Sequence, residues 1–485
     1  MSHADSVRLI ALSTPTESSS VIPTSLPAEP LALSSPSAYT LTEMDLWERI
    51  RGGYAIPDLD NQYVANQLNW YSTRTDYILR TVQRGSRYLY HVVEELEKRG
   101  MPTELALLPF IESAFNPQAI STAKASGMWQ FMAATGRDFN LKQNMFKDDR
   151  RGVLDSTDAA LTYLERLYGM FGDWQLALAA YNWGEGSVQR AIKKQQALGL
   201  PIDFDSLSAL MPNETKNYLP KLQAVKNIIA HPEQFNIALP RLDNQPYFVT
   251  VEKTRDIDVR VAAQLAELPI GEFTALNPQF NRPVITGDSN TKILLPTDNA
   301  ALFKENLSKW QGPLSSWTAH TVQKTESVES LASRLKLKPE VLREVNLIPA
   351  KMLVKAGSTL LIPKTSQAQD KDISLEVADK AQLIIEKNIP MRQLSYRVGK
   401  RDDLNSIAKR YKVSVADLKT WNNLKRDVIA SGQTLHIQVP GSPNSGKHTA
   451  VAHNAHGGKL AYRPVANRSG KILVAHAKSG KKRHG

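Results

Sequence analysis

Apolar residues recur at helical spacing through most of the first half of the chain. Leu89, Val93 and Leu96 share one face ahead of Gly100, which predicts a helix stopped at that glycine. Pro102 predicts the start of the next helix, with Leu105, Leu108 and Ile111 on its inner side. Asp155 reads as the N-cap of a helix carrying Leu161, Leu164, Leu167 and Phe171. Asp173 reads as the cap of a helix over Trp174–Asn182 that Gly184 ends. Such signals dominate from about residue 61 to 235, and Trp47, Ile50 and Tyr54 begin the ordered part.

After Pro240 the texture changes to short β-rich runs, and the chain repeats itself. At an offset of 76 residues, Val322 meets Val398, Leu331 meets Ile407, Ala332 meets Ala408, Leu342 meets Leu418 and Asn346 meets Asn422. At an offset of 75, Gly357 meets Gly432 and Leu360 meets Leu435. Each copy reads as strand, helix, helix, strand. These repeats resemble LysM modules, which implies binding to N-acetylglucosamine-containing glycans. Both depart from the usual Gly-Asp-Thr after the first strand, with Lys324-Thr325-Glu326 and Lys400-Arg401-Asp402 instead. Residues 247–296 hold a fainter echo in Leu276-Asn277 and Ile293-Leu294-Leu295-Pro296. The plain alternative for all three is a small packing domain without a ligand.

Composition and charge narrow the class. A chain of 485 residues is too long for one core. Its 42% hydrophobic and 22% charged residues are those of ordinary globular protein. The absence of cysteine excludes disulfides, Cys-ligated zinc, a Cys nucleophile and a lipid-modified Cys. No apolar run is long enough to span a bilayer. Val7–Leu12, interrupted by Arg8, is too short for the core of a signal peptide. Of the net charge of +12, nine Lys/Arg without a single acid lie in residues 441–485, which leaves about +3 for the rest. That basic tail suggests an anionic envelope surface as a partner. Nucleic acid is not expected, because the repeats lack interleaved basic and aromatic strand positions. The tail's five histidines have no regular spacing, so neither a metal nor a cofactor is expected.

Candidate chemistry begins at Glu112, embedded in Phe110-Ile111-Glu112-Ser113-Ala114-Phe115-Asn116-Pro117. Apolar surroundings raise a carboxyl pKa, and a carboxylic acid still protonated near neutral pH can donate to a leaving oxygen. The negative end of a helix running from Pro102 would act in the same direction. By itself the residue reads more readily as a capped or salt-bridged surface Glu. Three further segments follow it: Gly127-Met128-Trp129-Gln130-Phe131-Met132, Ala179-Ala180-Tyr181-Asn182-Trp183-Gly184-Glu185-Gly186, and Glu214-Thr215-Lys216-Asn217-Tyr218. This ordered set resembles the lysozyme-like catalytic domain of the soluble-type lytic transglycosylases.

The resemblance implies a multidomain protein: a mainly α-helical, lysozyme-like (α+β) catalytic domain followed by small βααβ LysM domains. The expected organisation is a disordered leader over 1–40, a helical extension over 41–84 and the catalytic domain over 85–235. A degenerate LysM-like segment follows over 240–300, then a LysM repeat over 318–364 and a partly helical linker over 365–393. The second LysM repeat covers 394–440, and a disordered basic tail covers 441–485. The implied activity is non-hydrolytic cleavage of the β-1,4 bond between N-acetylmuramic acid and N-acetylglucosamine in peptidoglycan glycan strands. Glu112 would protonate the glycosidic oxygen, then accept the proton of the muramic C6 hydroxyl as that oxygen attacks C1. The product is a 1,6-anhydromuramoyl end.

Substrate-binding roles are implied for Ser113, Met128, Gln130, Tyr181, Asn182 and Tyr218, with the Tyr181 hydroxyl bonding the Glu112 carboxyl. Gly127 would admit a glycan close to the backbone. Glu185 reads as a solvated loop residue. Location in the periplasm or cell envelope, possible membrane association and a monomeric state are also expected; an export signal would lie upstream of the chain or have been removed. The rival readings are a lysozyme-like muramidase, which uses water, and a non-catalytic peptidoglycan-binding scaffold.

Overall fold

A computed structural model of the protein describes residues 44–287, 291–364, 371–389 and 391–440. The expected leader and the basic tail lie outside the described residues. The described residues divide into two compact units, one within 44–320 with 361–382 and the other within 321–360 with 383–440.

The first unit begins with α1 (Leu46–Gly52), α2 (Gln62–Ser72), α3 (Thr75–Gly85) and α4 (Leu89–Lys98). A 3-10 turn over Thr103–Leu107 leads directly into α5 (Leu108–Ser113). Next come α6 (Ala133–Asp138), α7 (Val153–Phe171), α8 (Trp174–Trp183), α9 (Glu185–Ala197), α10 (Phe204–Ser208), α11 (Asn213–Lys216) and α12 (Tyr218–Ala230). One apolar core holds them. It contains Trp47, Ile78, Leu89, Leu105, Phe110, Trp129, Leu164, Leu178 and Ile228.

Two local expectations are corrected. The helix predicted from Pro102 is split, because five wholly buried residues, Thr103–Leu107, take the tighter 3-10 path before α5 starts at Leu108. Asp155 is no cap: α7 starts at Val153 with Gly152 in the cap position, so Asp155 sits in the first turn, within 3.9 Å of Lys147. Asp173 does cap α8, accepting from the Leu176 amide at 2.9 Å.

Glu104 in the 3-10 turn is 1% exposed. Its carboxylate accepts from the Ala55 and Ile56 amides at distances down to 2.7 Å and pairs with Lys226 of α12 at 3.2 Å. Lys226 also donates to the Ile56 carbonyl and reaches Asp58, at 2.9 and 2.8 Å. One buried charge pair thus joins the N-terminal extension, the turn before α5 and the middle of α12.

Beyond Pro240, the segment Phe248–Glu252, Val259–Leu265, Ile270–Leu276, Lys292–Pro296 runs strand, helix, helix, strand. Its outer strands pair antiparallel, with Val251 opposite Ile293. In the second unit the same order recurs over Met391–Arg397, Leu404–Tyr411, Val415–Trp421 and Thr434–Pro440, with Tyr396 opposite Leu435. The intervening copy has helices Val328–Leu335 and Pro339–Asn346 between strands Trp317–Thr321 and Thr359–Pro363.

An asparagine after the second helix explains why Asn recurs. Asn277 donates to Phe273 and Leu294 carbonyls at 3.0 and 2.8 Å and accepts from the Leu294 amide at 2.9 Å. Asn422 makes the same set with Leu418 and His436, at 2.8, 2.8 and 2.6 Å. Asn346 donates to Leu342 in the same way at 3.0 Å. The amide locks helix end to strand, and only Asn has both groups at that reach.

The acidic residues that replace the usual loop also have a structural role. Glu326 accepts from Ser330 and Arg334 at 2.8 and 2.7 Å. Asp402 accepts from Tyr396, the Gly399 amide and Arg410 at 2.5, 2.8 and 3.2 Å.

The expected linker is more ordered than its composition suggests. Leu375–Lys380 is helical, and Ile385–Lys387 forms a strand antiparallel to Met352–Val354. Edge pairing needs only backbone, which explains why no strong apolar pattern announces it.

Glu104→Ala should lower the unfolding free energy by about 2–4 kcal/mol, because it strands two backbone amides and takes one of three acceptors from Lys226. Glu104→Gln, which keeps one acceptor, should lose less. Denaturant midpoints of both variants check this.

Candidate active site

The four sequence motifs meet around one short loop. Glu112 lies one residue before the end of α5, and the chain then turns through two consecutive left-handed residues, Ala114 (φ 51°) and Phe115 (φ 54°). Neither is glycine, so the turn stores strain. Three contacts hold it. The Phe115 amide donates to Pro109, and Arg84 Nε donates to the Ala114 carbonyl at 2.8 Å. The Phe115 ring packs edge-to-face on Phe110 at 5.1 Å. Phe115 is therefore apolar support, as its sequence context suggests. Arg84 and Gly85, against which that ring rests, carry no sequence signal.

The loop 127–130 receives three motif side chains on three successive carbonyls. Gln130 Nε2 donates to Gly127 at 2.8 Å, Ser113 Oγ to Met128 at 2.9 Å and the Tyr181 hydroxyl to Trp129 at 2.9 Å. Trp129 itself is buried and donates from its indole to Thr157 at 3.0 Å. Asn182 accepts from Thr215 Oγ at 2.7 Å, which ties α8 to α11.

Several expected roles change. Met128 is 1% exposed, so its side chain packs in the core and its carbonyl receives Ser113. Tyr181 bonds the loop and not the carboxyl. Gly127, at φ 89°, is required by protein backbone, because a Cβ there would collide with the Arg150 carbonyl. Glu185 is the first residue of α9, not a loop residue, and accepts from Tyr163 and Arg166 at 2.8 and 3.1 Å.

The hydroxyl that reaches the carboxyl belongs to Tyr218, the first residue of α12. It donates to Glu112 Oε1 at 2.5 Å. Glu112 keeps partial exposure while protein surrounds it closely. Burial raises its pKa to about 7; the Tyr218 bond opposes the rise, the charge of Glu214 adds to it and Lys221 opposes it. α5 spans only Leu108–Ser113, so burial leads here rather than the dipole of a long helix.

Such a site offers one carboxyl, protonated in a large fraction near neutrality, on a rigid polar frame. Residues 90–200 match the family model described as Transglycosylase SLT domain. Residues 247–312 match Lytic transglycosylase MltD, LysM-like domain, and residues 320–363 and 396–438 match LysM domain. Fold and site together define a lysozyme-like lytic transglycosylase carrying LysM-type modules.

Membrane-bound lytic murein transglycosylase D of Escherichia coli (strain K12) is 33% identical over 415 residues, covering 83% of this chain and 87% of that protein. The chain belongs to the membrane-bound lytic murein transglycosylase D family. Membrane-bound lytic murein transglycosylase C of Yersinia enterocolitica serotype O:8 is 30% identical over 38% of this chain and 55% of that protein. A solved inactive mutant of lytic transglycosylase Slt from Pseudomonas aeruginosa is 23% identical over 31% of this chain and 25% of that chain, with a TM-score of 0.24. No helix among the described residues is long and apolar enough to cross a membrane.

The pKa shift has a definite sign for stability. The Glu112 carboxyl titrates near 4.5 when unfolded and near 7 when folded, so its contribution is fully present below about 4.5 and lost as pH rises through about 7. Glu112→Gln should therefore gain melting temperature over the parent as pH is raised across that window, by up to about 3 kcal/mol in stability. Tyr218→Phe removes an interaction that holds the carboxyl pKa down, so the alkaline limb of its activity profile should move to higher pH while kcat falls by about tenfold or more. Thermal scans and pH–rate profiles check the two.

Proposed function

We propose that Glu112 is the single acid and base of a peptidoglycan lytic transglycosylase that cleaves the MurNAc-β-1,4-GlcNAc bond without water. The observation that carries this is the Glu112 carboxyl, enclosed to a pKa of about 7 with its Oε1 on the Tyr218 hydroxyl. A carboxylic acid so poised gives its proton to the departing glycosidic oxygen as C1 becomes oxocarbenium-like. The carboxylate left behind takes the proton of the muramic C6 hydroxyl as O6 closes on C1. The acid is thereby restored and the 1,6-anhydro ring formed.

An intramolecular nucleophile has a high effective molarity, so no carboxylate on the opposite face is needed to activate water. Two nearby carboxylates are committed elsewhere, Glu185 to Tyr163 and Arg166 and Asp173 to its helix amide, while the charge of Glu214 acts on Glu112 by raising its pKa.

Tyr218 orients the carboxyl. Ser113, Gln130 and Tyr181 fix the 127–130 loop, whose outer surface meets the sugar. The Gln130 carbonyl oxygen and Asn182 amide nitrogen provide acceptor and donor for acetamido and hydroxyl groups. In this reading catalysis lies over 85–235, a degenerate LysM-like segment over 240–300, and glycan-holding LysM modules over 318–364 and 394–440. Weak modules on one chain raise the local concentration of a polymeric substrate. The enzyme acts as a monomer in the periplasm, at the membrane side of the wall, where the basic tail adds attraction to anionic surfaces.

Purified sacculi incubated with the protein should release muropeptides with anhydro ends, each lighter by one water than the hydrolytic product. Glu112→Gln should lower the rate by at least about 10³-fold. Mass spectrometry of the soluble products decides; reducing-end products would make the enzyme a muramidase instead.

A further inference from the structure

α2 (Gln62–Ser72) contains no Lys, Arg, Asp or Glu. At the chain's overall 22% charge, a helix of this length would carry about two. Its solvent positions are aromatic and amide instead, among them Tyr63, Asn66, Asn69 and Trp70. Trp70 is 41% exposed and Tyr63 38%. Seven residues apart, they stand on one face, about 10 Å from each other along the axis.

Trp70 is held firmly. The Arg74 guanidinium lies 4.5 Å over its ring and donates to the Trp70 carbonyl at 2.9 Å. Tyr71 and Tyr77 meet the indole edge-on at 4.9 and 5.5 Å. A large aromatic surface fixed in this way loses little freedom when a ligand covers it.

Its place in the fold points to the ligand. α2 runs antiparallel to α12: the Leu59 amide, just before α2, donates to Gln223, and Gln67 donates to Asn217, both at 3.1 Å. One turn beyond Gln67, Trp70 therefore lies past the start of α12, the end where Asn217 precedes the Tyr218 that holds Glu112. Pyranose rings present C–H faces that pack on indole and phenol rings. Asn and Gln amides match sugar hydroxyl and acetamido groups, which need no charge.

We propose that the Tyr63–Trp70 face of α2 is a saccharide subsite continuous with the catalytic centre, which grips the peptidoglycan glycan strand beyond the sugars flanking the cleaved bond. The proposal rests on the transglycosylase reading above and adds a site in the N-terminal extension, outside the matched 90–200 segment.

The test compares the full chain with Trp70→Ala, Trp70→Phe and Tyr63→Ala on two substrates: long soluble glycan strands freed of stem peptides, and the shortest oligosaccharide the parent cleaves. On long strands kcat/KM should fall about tenfold in Trp70→Ala, through KM with kcat within twofold, and Trp70→Phe should recover most of it. On the short substrate all variants should match the parent, which shows that the small loss of stability from removing the Arg74, Tyr71 and Tyr77 contacts in Trp70→Ala leaves the catalytic centre intact. Long-strand kinetics unaltered in Trp70→Ala would overturn the subsite, and so would equal losses on both substrates. A fall in solution mass on replacing Trp70 would reassign the face to self-association. If the parent releases no anhydro products from either substrate, the transglycosylase reading fails first, independently of Trp70.

Discussion

Two contacts, one wholly buried and one half-buried, clasp the same pair of segments and set the position of the carboxyl on which the site depends. Glu104 pairs with Lys226, and eight residues along, Glu112 meets Tyr218 eight residues back. The segment leading through α5 and helix α12 therefore lie antiparallel, riveted at two points. The first rivet is structural: a carboxylate fully enclosed, satisfied by two backbone amides and a lysine. The second is the chemical one. It depends on the same antiparallel packing, which brings the Tyr218 hydroxyl of α12 to 2.5 Å from the Glu112 carboxyl while burial holds that carboxyl's pKa up.

The polar motif residues divide their labour in a way that favours rigidity over direct contact. Three side chains, from α5, α8 and the loop itself, each spend a donor on the carbonyls of residues 127–129. Backbone carbonyls are fixed acceptors, so the loop is defined by hydrogen bonds rather than by apolar packing alone. Two left-handed residues follow Glu112 directly, and the strain they carry is offset by Arg84, Phe110 and the Pro109 carbonyl. That strain serves precision at the carboxyl, which the proposed mechanism requires to give and retake one proton.

The modules beyond residue 240 apply the same economy at smaller scale. An asparagine locks the second helix to the last strand in the 248–296 and 391–440 copies, and Asn346 begins the same clamp. The acids of the divergent loops brace their own modules through Arg334 and Arg410. These small domains gain definition from polar clamps because their cores are small.

Much of this was written in the sequence. Helical periodicity, the capping Asp173, the internal repeats and the order of four motifs depend on local spacing or on side-chain chemistry, both of which a linear chain displays. So does the apolar setting that raises the Glu112 pKa. What the sequence could not show was which partner each polar group takes, since that depends on residues brought together from far apart. Tyr218 and not Tyr181 reaches the carboxyl across 106 positions. Gly127 makes room for Arg150 rather than for a sugar. Met128 turns inward, and Asp155 misses the cap because Gly152 takes its place. The Glu104–Lys226 pair left no mark, for a buried ion pair reads in sequence as two ordinary surface charges until the fold removes the water from around them.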